Sequence, residues 1–227
     1  MTDFDKFAGS YRQLHAKNIR VSGESTSYFA EYKVKTLARR SQRKYSSILD
    51  FGCGIGALEQ FLPQQYPGSK ITGIDTSEQS LLEAAGRKYY NCSFVRTDGD
   101  NIPFTNCYFD LVILANSLHH IKNDKRPQAV NEIWRVLKNG GDIIVFEHNP
   151  LNPLTVKAVN TCEFDVGVEL LPRGEVKRLL IENGFNVLES DYIVFFPHVL
   201  RFLRPLEPKL GFLPFGAQYY VFGRKII

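Results

Sequence analysis

No two of the four cysteines, at 53, 92, 107 and 162, stand at C-x-x-C spacing. That absence removes the usual zinc and dithiol patterns and offers no disulfide framework. Nor does any window hold 18 uninterrupted apolar residues, so no stretch has the length of a membrane-crossing helix. The opening residues, Met1-Thr2-Asp3-Phe4-Asp5, contain no basic leader before an apolar run. Together these absences predict a cytoplasmic protein with reduced thiols. The net charge is only +4, and the main basic cluster, Arg39-Arg40 with Arg43-Lys44, is short. A nucleic-acid partner needs Lys and Arg gathered over one face, so none is expected. Internal repeats, low-complexity tracts and linkers between separate cores are also missing.

What is present suits an ordinary α/β domain. The chain has 227 residues, of which 44% are apolar and 23% charged, enough for one closed core. The most informative stretch is I-L-D-F-G-C-G-I-G at 48–56, a short apolar run, an acid, and glycines at 52, 54 and 56. It predicts a buried strand ending in a loop of bare backbone that opens into a helix. A second strand pattern follows, Lys70 to Asp75, again ending in an acid, which stands 19 residues after Gly56. A glycine loop after one strand and a carboxylate after the next is the way a doubly wound sheet holds a ribose.

Strand patterns at 47–51, 70–75, 92–96, 109–115 and 141–147 alternate with helix patterns near 56–62, 77–89 and 125–138. Such alternation predicts a mostly parallel sheet with helices on both faces. Val130, Ile133, Trp134 and Leu137 share one face of the third helix, Pro127 suits its first turn, and Asn139-Gly140-Gly141 predicts a stop after Lys138. A further helix is expected from Pro172 to Asn183, then β-rich runs at 185–196 and 217–226 around a proline-bearing segment, 197–216.

The glycine loop alone fits two cofactors. Gly52-x-Gly54-x-x-Ala57 also satisfies the nicotinamide dinucleotide fingerprint. Asp50, however, puts a carboxylate at the mouth of the first strand. It would repel a pyrophosphate and attract a sulfonium or an ammonium. Five blocks now stand in order: L-D-F-G-C-G-I-G at 49–56, G-I-D-T-S at 73–77, T-D-G-D-N-I-P-F at 97–104, F-D-L-V-I-L-A-N-S-L-H-H-I at 109–121 and W-R-V-L-K-N-G-G at 134–141. In these blocks the chain resembles the class I S-adenosylmethionine-dependent methyltransferases, in particular the bacterial small-molecule group called type 11. The resemblance implies a Rossmann-like, doubly wound, mostly parallel seven-stranded sheet with an antiparallel terminal strand. It makes residues 46–227 the cofactor-binding methyltransferase domain and residues 1–45 an N-terminal helical lid. It implies that Gly52, Gly54 and Gly56 admit the methionine moiety, with Asp50 near its amino group. Asp75, followed by Thr76, takes the ribose hydroxyls, Asp98 with Gly99 takes the adenine amine, and Asn116 faces the sulfonium. Ile55 departs from the small or hydroxyl residue common there. Asp50 and Asp75 also suit capping of a loop or helix, and Asp98 with Asp100 is good turn chemistry. Asp110, just inside the fourth strand, reads as structural.

Methyl transfer needs an aligned acceptor and a destination for its proton, and histidine is the natural proton taker for a hydroxyl. Of five histidines, His119, His120 and His148 follow the fourth and fifth strands, where open α/β sheets bind ligands. His119 and His148 are therefore the catalytic candidates. A metal is not assigned, because a two-histidine pair lacks a third ligand at recognisable spacing. His15 and His198 receive no role. The place after strand four reads Asn116-Ser117-Leu118-His119 instead of the Asn/Asp-Pro-Pro-aromatic block associated with amide or adenine amines, so oxygen, then carbon, is the expected acceptor atom. The acceptor is expected to be a small molecule, with a hydrophobic or lipid-linked one favoured if the apolar segment 192–217 is exposed. That segment carries Arg201, Arg204 and Lys209 and reads chiefly as a connection folded onto the core, and secondarily as a pocket wall or membrane-surface contact. Tyr11, Tyr28, Phe29 and Tyr32 suit a lid. Two alternatives stay open at this point: a nicotinamide-dependent oxidoreductase and a non-catalytic S-adenosylmethionine-binding regulator.

Overall fold

The computed structural model describes residues 22–162, 165 and 167–226. Tyr11 and His15 lie outside them. Seven strands form one sheet: β1 (Ser47–Phe51), β2 (Lys70–Asp75), β3 (Cys92–Arg96), β4 (Phe109–Ala115), β5 (Leu137–His148), β6 (Phe185–Ile193) and β7 (Gln218–Lys225). Their spatial order is β3-β2-β1-β4-β5-β7-β6. Strands β3, β2, β1, β4 and β5 pair in parallel, while β7 runs antiparallel to both β5 and β6. This is the doubly wound, mostly parallel sheet the alternating pattern predicts. The order reverses beside β1 and β4, and a crevice opens at their carboxyl ends.

Central strands of such a sheet are covered twice, so both side-chain sets must be apolar. Leu49, Val112 and Ile143 join one core, with Val130, Ile133 and Val136 of helix α4 (Arg126–Val136) and Val176 and Leu180 of helix α6 (Arg173–Glu182). Their sequence neighbours Ile48, Leu111 and Ile144 join the other, with Ala30, Val34 and Leu37 of helix α1 (Thr26–Arg40).

Two local expectations are corrected, and one unassigned stretch takes a helix. The glycine loop does not open into a helix over 56–62: only the single turn α2 (Leu62–Gln65) forms. Gly56 has a φ of 74°, outside the right-handed helical region. Pro63 tolerates only the first turn of a helix, which is where it stands. Helix α4 ends at Val136, not Lys138, because Leu137 is extended and pairs with Phe109. Trp134 is part-exposed, with the Lys225 ammonium 3.7 Å from its ring centroid. Finally, the unassigned stretch after strand five forms α5 (Pro153–Asn160), capped by the Asn152 side chain on Leu154 N–H and Thr155 N–H. Asn152 followed by Pro153 is an N-cap and first-turn signature legible in the sequence. The second-strand helix, α3 (Glu78–Gly86), begins after its cap Ser77 as expected.

The segment between β6 and β7 is largely a 3₁₀ stretch, His198–Lys209, kinked at Leu200. Buried Glu207 pins it, accepting from Tyr32 Oη at 2.6 Å and from the N–H groups of Phe195 and Phe196. Arg204 pairs with Glu24 and lies over the Tyr28 ring. Its apolar side chains are not all folded inward: Val199, Phe202, Phe212 and Phe215 are each about two-thirds or more exposed. The basic cluster is engaged with acids, Arg40 with Glu189 and Arg43 with Asp142. Asp110 is structural, accepting from Ser46 N–H, Ser47 N–H and Lys138.

Fully buried Asp142, on β5 at the end of the sheet opposite the crevice, accepts from Tyr45 Oη at 2.8 Å, Arg43 Nη1 at 3.0 Å and Arg224 Nε at 2.7 Å. Asp142→Asn leaves part of this set unpaired and should cost about 1–3 kcal/mol of stability, read as a lower denaturation midpoint with unchanged m-value.

Candidate functional site

The crevice at the carboxyl ends of β1, β2, β4 and β5 encloses about 930 Å³. Its floor is the glycine loop. Gly52 N–H and Cys53 N–H both donate to Ile74 O, at 2.8 and 3.0 Å, so β2 fixes where the loop leaves β1. The three glycines serve different ends. A Cβ on Gly54 would meet nothing within 4 Å, so this is the residue that leaves bare backbone open to the cavity. A Cβ on Gly52 would stand 2.6 Å from Ser117 Cβ, so this glycine lets β4's exit loop pack close. Gly56 is off the cavity wall, tucked against Ala84 and Phe94.

Asp75 ends β2, half-buried on the cavity wall. Its Oδ2 accepts from Gly54 N–H at 2.8 Å and its Oδ1 from Ser77 N–H at 2.9 Å. The carboxylate thus fixes the glycine loop and the start of α3 together. Thr76 and Gly99 line the wall beside it, but Asp98 does not. Asp98 is exposed and accepts from Asp100 N–H and Asn101 N–H, which holds its carboxyl below the usual range. The turn-forming option has won there.

Asp50 is almost wholly buried at the loop's root. Burial, then the nearby Asp75 charge, push its pKa up to about 7 against the opposing pull of Lys33. Lys33, from α1, is equally buried, and burial lowers its pKa to about 8 despite Glu147 and Asp50. The sequence analysis does not find Lys33. A cation among apolar residues of an amphipathic helix is the signal it offers. Thr26, Phe29 and Ala30 of the same helix line the cavity, whereas Tyr28 and Tyr32 turn to the 3₁₀ stretch.

Three polar atoms around this wall are buried and meet no hydrogen-bond partner among the described residues: Asp50 Oδ1, Asn116 Oδ1 and Ser117 Oγ. Asn116 stands at a φ of 58°, a conformation that asparagine tolerates and that turns the chain sharply off β4.

Opposite the loop, β4's exit and β5's end bring the histidines together. His119 is buried, its Nδ1 2.5 Å from Glu147 Oε2, and Leu118 N–H donates to the other Glu147 oxygen at 2.9 Å. The His119 ring centroid lies 4.1 Å from that of His120 and 5.4 Å from that of His148. Asp165 closes the cluster, its Oδ1 3.7 Å from His119 Nε2 and 3.4 Å from His120 Nε2. Burial alone would lower His119, but the two carboxylates overcome it and raise the ring to about 9. Burial and the charge of His119 lower His120 to about 4 and His148 to about 3. In the sequence Glu147 is only a neighbour of His148, with nothing to mark it as the partner of His119. No local pattern marks Asp165 either, which only the fold brings back to β4.

Residues 48–141 match the family model of a methyltransferase domain. Over 119 residues the chain is 33% identical to the chloroplast 2-phytyl-1,4-beta-naphthoquinone methyltransferase of Arabidopsis thaliana, spanning 48% of this chain and 44% of that one. Over 105 residues it is 32% identical to the malonyl-[acyl-carrier protein] O-methyltransferase of Enterobacter lignolyticus, spanning 46% and 40%. The chain therefore covers less than half the length of these relatives. Its fold is similar to that of a methyltransferase from Archaeoglobus fulgidus, with a TM-score of 0.72, 16% identity and coverage of 95% and 100%.

Proposed function

We propose that this chain, whose residues 48–141 match the model of a methyltransferase domain, is a class I S-adenosylmethionine-dependent enzyme that transfers a methyl group from that cofactor to a small-molecule acceptor, at oxygen. The observation that carries this reading is the pair of buried acceptors, Asp50 Oδ1 and Asn116 Oδ1, on the wall of one cavity. Each such orphan costs about 1–3 kcal/mol unless a ligand brings a donor or a positive charge. An ammonium group and a sulfonium suit that need. A pyrophosphate would add negative charge beside Asp50 and Asp75 and suffer repulsion.

In this reading Asp50 accepts from the methionine ammonium and Lys33 faces the methionine carboxylate. Gly52 and Gly54 give backbone access, Asp75 takes the ribose hydroxyls, and Thr76 and Gly99 flank the adenosine. Thr97 and Gly99, which line the cavity, form the adenine wall in place of the Asp98 side chain. Bound there, the cofactor supplies an electrophilic methyl carbon on sulfur. The protein's own contribution is alignment, which accounts for about 7–11 kcal/mol of barrier in well-oriented systems, and proton handling. Asn116 and the His119 and His148 rings border the space left for the acceptor, and His148, kept neutral by burial and the His119 charge, is assigned the hydrogen bond from the acceptor hydroxyl. Residues 22–45 supply part of a lid through α1. Helix α5 puts Ala158 and Val159 on the cavity wall while Leu154 points outward, which supports a hydrophobic acceptor.

A melting-temperature titration tests this directly. S-adenosylhomocysteine should raise the midpoint and NAD should not; the reverse result ends the proposal. Release of S-adenosylhomocysteine on adding phenolic or quinol acceptors is then expected. A chain that binds the cofactor but releases no product with any acceptor is a regulator instead.

A further inference from the structure

We infer that His119, His120 and Asp165 form a binding site for a divalent first-row metal ion, open on its cavity side. The inference rests on the reading above in one respect: the open position would receive an oxygen of the methyl acceptor. One ligand atom from each residue lies within 4.8 Å of the other two. The Asp165 oxygen stands 3.4 Å from His120 Nε2 and 3.7 Å from His119 Nε2. Tetrahedral metal–ligand bonds of about 2.0–2.1 Å separate two ligand atoms by about 3.3–3.4 Å, so the Asp165 oxygen already stands close to ligand spacing from both nitrogens.

Two further features point the same way. A ligating histidine needs its second nitrogen tied down, so that the first presents a lone pair to the metal. Glu147 does this for His119, accepting from Nδ1 at 2.5 Å while itself fixed by Leu118 N–H. The charge also fits. Glu147 and Asp165 place two carboxylates around one imidazole, in a region where Asp50 and Asp75 add more negative charge and Lys33 offers one cation. A divalent ion neutralises the Glu147–Asp165 pair without needing a charged ring. All three ligands line the cavity that holds the glycine loop, so a fourth position faces the space where an acceptor would lie. Two histidines, one carboxylate and an open position suit Zn²⁺ and Fe²⁺ better than Ca²⁺ or Mg²⁺, which take oxygen ligands.

The test uses the whole chain, freed of metal with a chelator and dialysed. Zn²⁺ titrated by calorimetry should bind at about one ion per chain with a Kd in the micromolar range or below, and Co²⁺ should develop a visible absorption band of four- or five-coordinate type. Asp165→Asn and His120→Gln should each abolish the band, and Glu147→Gln should weaken Zn²⁺ binding about 10–100-fold. His120 is partly exposed, so its variant serves if Asp165→Asn fails to melt cooperatively. Absence of Zn²⁺ heat from folded wild type overturns the site. So does binding that survives in both ligand variants. S-adenosylhomocysteine titrated into the same metal-free sample separates the two readings: heat from it without heat from Zn²⁺ sinks only the metal site, and heat from neither sinks the methyltransferase reading as well.

Discussion

Asp75→Ala should weaken S-adenosylhomocysteine binding by at least about 100-fold, the larger of the two effects expected at the cofactor site. Charge-assisted hydrogen bonds contribute about 1.5–3 kcal/mol each, and Asp75 is proposed to make two of them to the ribose. At about 1.4 kcal/mol per tenfold change, the loss spans roughly two to four orders of magnitude. The same carboxylate also holds Gly54 N–H and Ser77 N–H, so loosening of the loop alone would weaken binding to some degree. A ligand comparison separates the two causes. Wild type should prefer S-adenosylhomocysteine over its 2′-deoxy analogue by about tenfold or more, and Asp75→Asn should lose that preference. If Asp75→Asn weakens both ligands equally and the preference persists, the carboxylate only shapes the loop and the ribose assignment fails.

How far this site can be read from the residues depends on how local each signal is. β1 with Asp50 and the glycines, and β2 with Asp75, are contiguous patterns read from spacing: Asp50, Gly52, Gly54 and Asp75 all reach the cavity wall, whereas Gly56 does not. The sheet follows from period-2 and continuous apolar runs, and its one reversed strand from the terminal run 217–226. The expected helix at 56–62 fails because two backbone constraints compete there. Gly56 supplies the positive φ the loop needs, and Pro63 forbids a helix from running through it. Asp98 is off the cavity wall for a related reason: in Asp-Gly-Asp-Asn its carboxyl is held by Asn101 N–H and Asp100 N–H within three residues. Lys33, Glu147 and Asp165 are out of reach for a different cause. Their meaning lies in what faces them across the crevice, and they come from α1, β5 and the segment after α5. The histidines are legible as a group at two strand ends, but the carboxylates that orient them are not.

Asp50 makes the second large prediction, because its burial sets stability against function. Its pKa rises from 3.8 in the unfolded chain to about 7 in the fold. Between those values the folded protein binds the extra proton, so Asp50's contribution to stability is full below about pH 4 and is lost as pH rises through 7. Asp50→Asn removes this dependence. The variant should match wild type below about pH 4, and its advantage should grow through pH 5 and 6 to its full size near pH 8. The gain is up to a few kcal/mol, since each tenfold change in proton affinity between the two states is worth about 1.4 kcal/mol. The loss of Lys33's partner reduces that gain, although Glu147 remains beside the ammonium. Cofactor affinity should move the opposite way. The proposed ammonium contact requires the carboxylate, so wild-type affinity for S-adenosylhomocysteine should rise about tenfold from pH 6 to pH 7.5. It should then flatten as the ligand's own amino group nears a pKa of about 8. Calorimetry at pH 6 in buffers of different ionisation enthalpy should register a proton released on binding. Asp50→Asn should bind weakly at every pH and release none. A wild-type affinity that is flat over this range, or a rising limb that persists in Asp50→Asn, would place the ammonium elsewhere and leave Asp50 as a buried acid that merely shapes the loop.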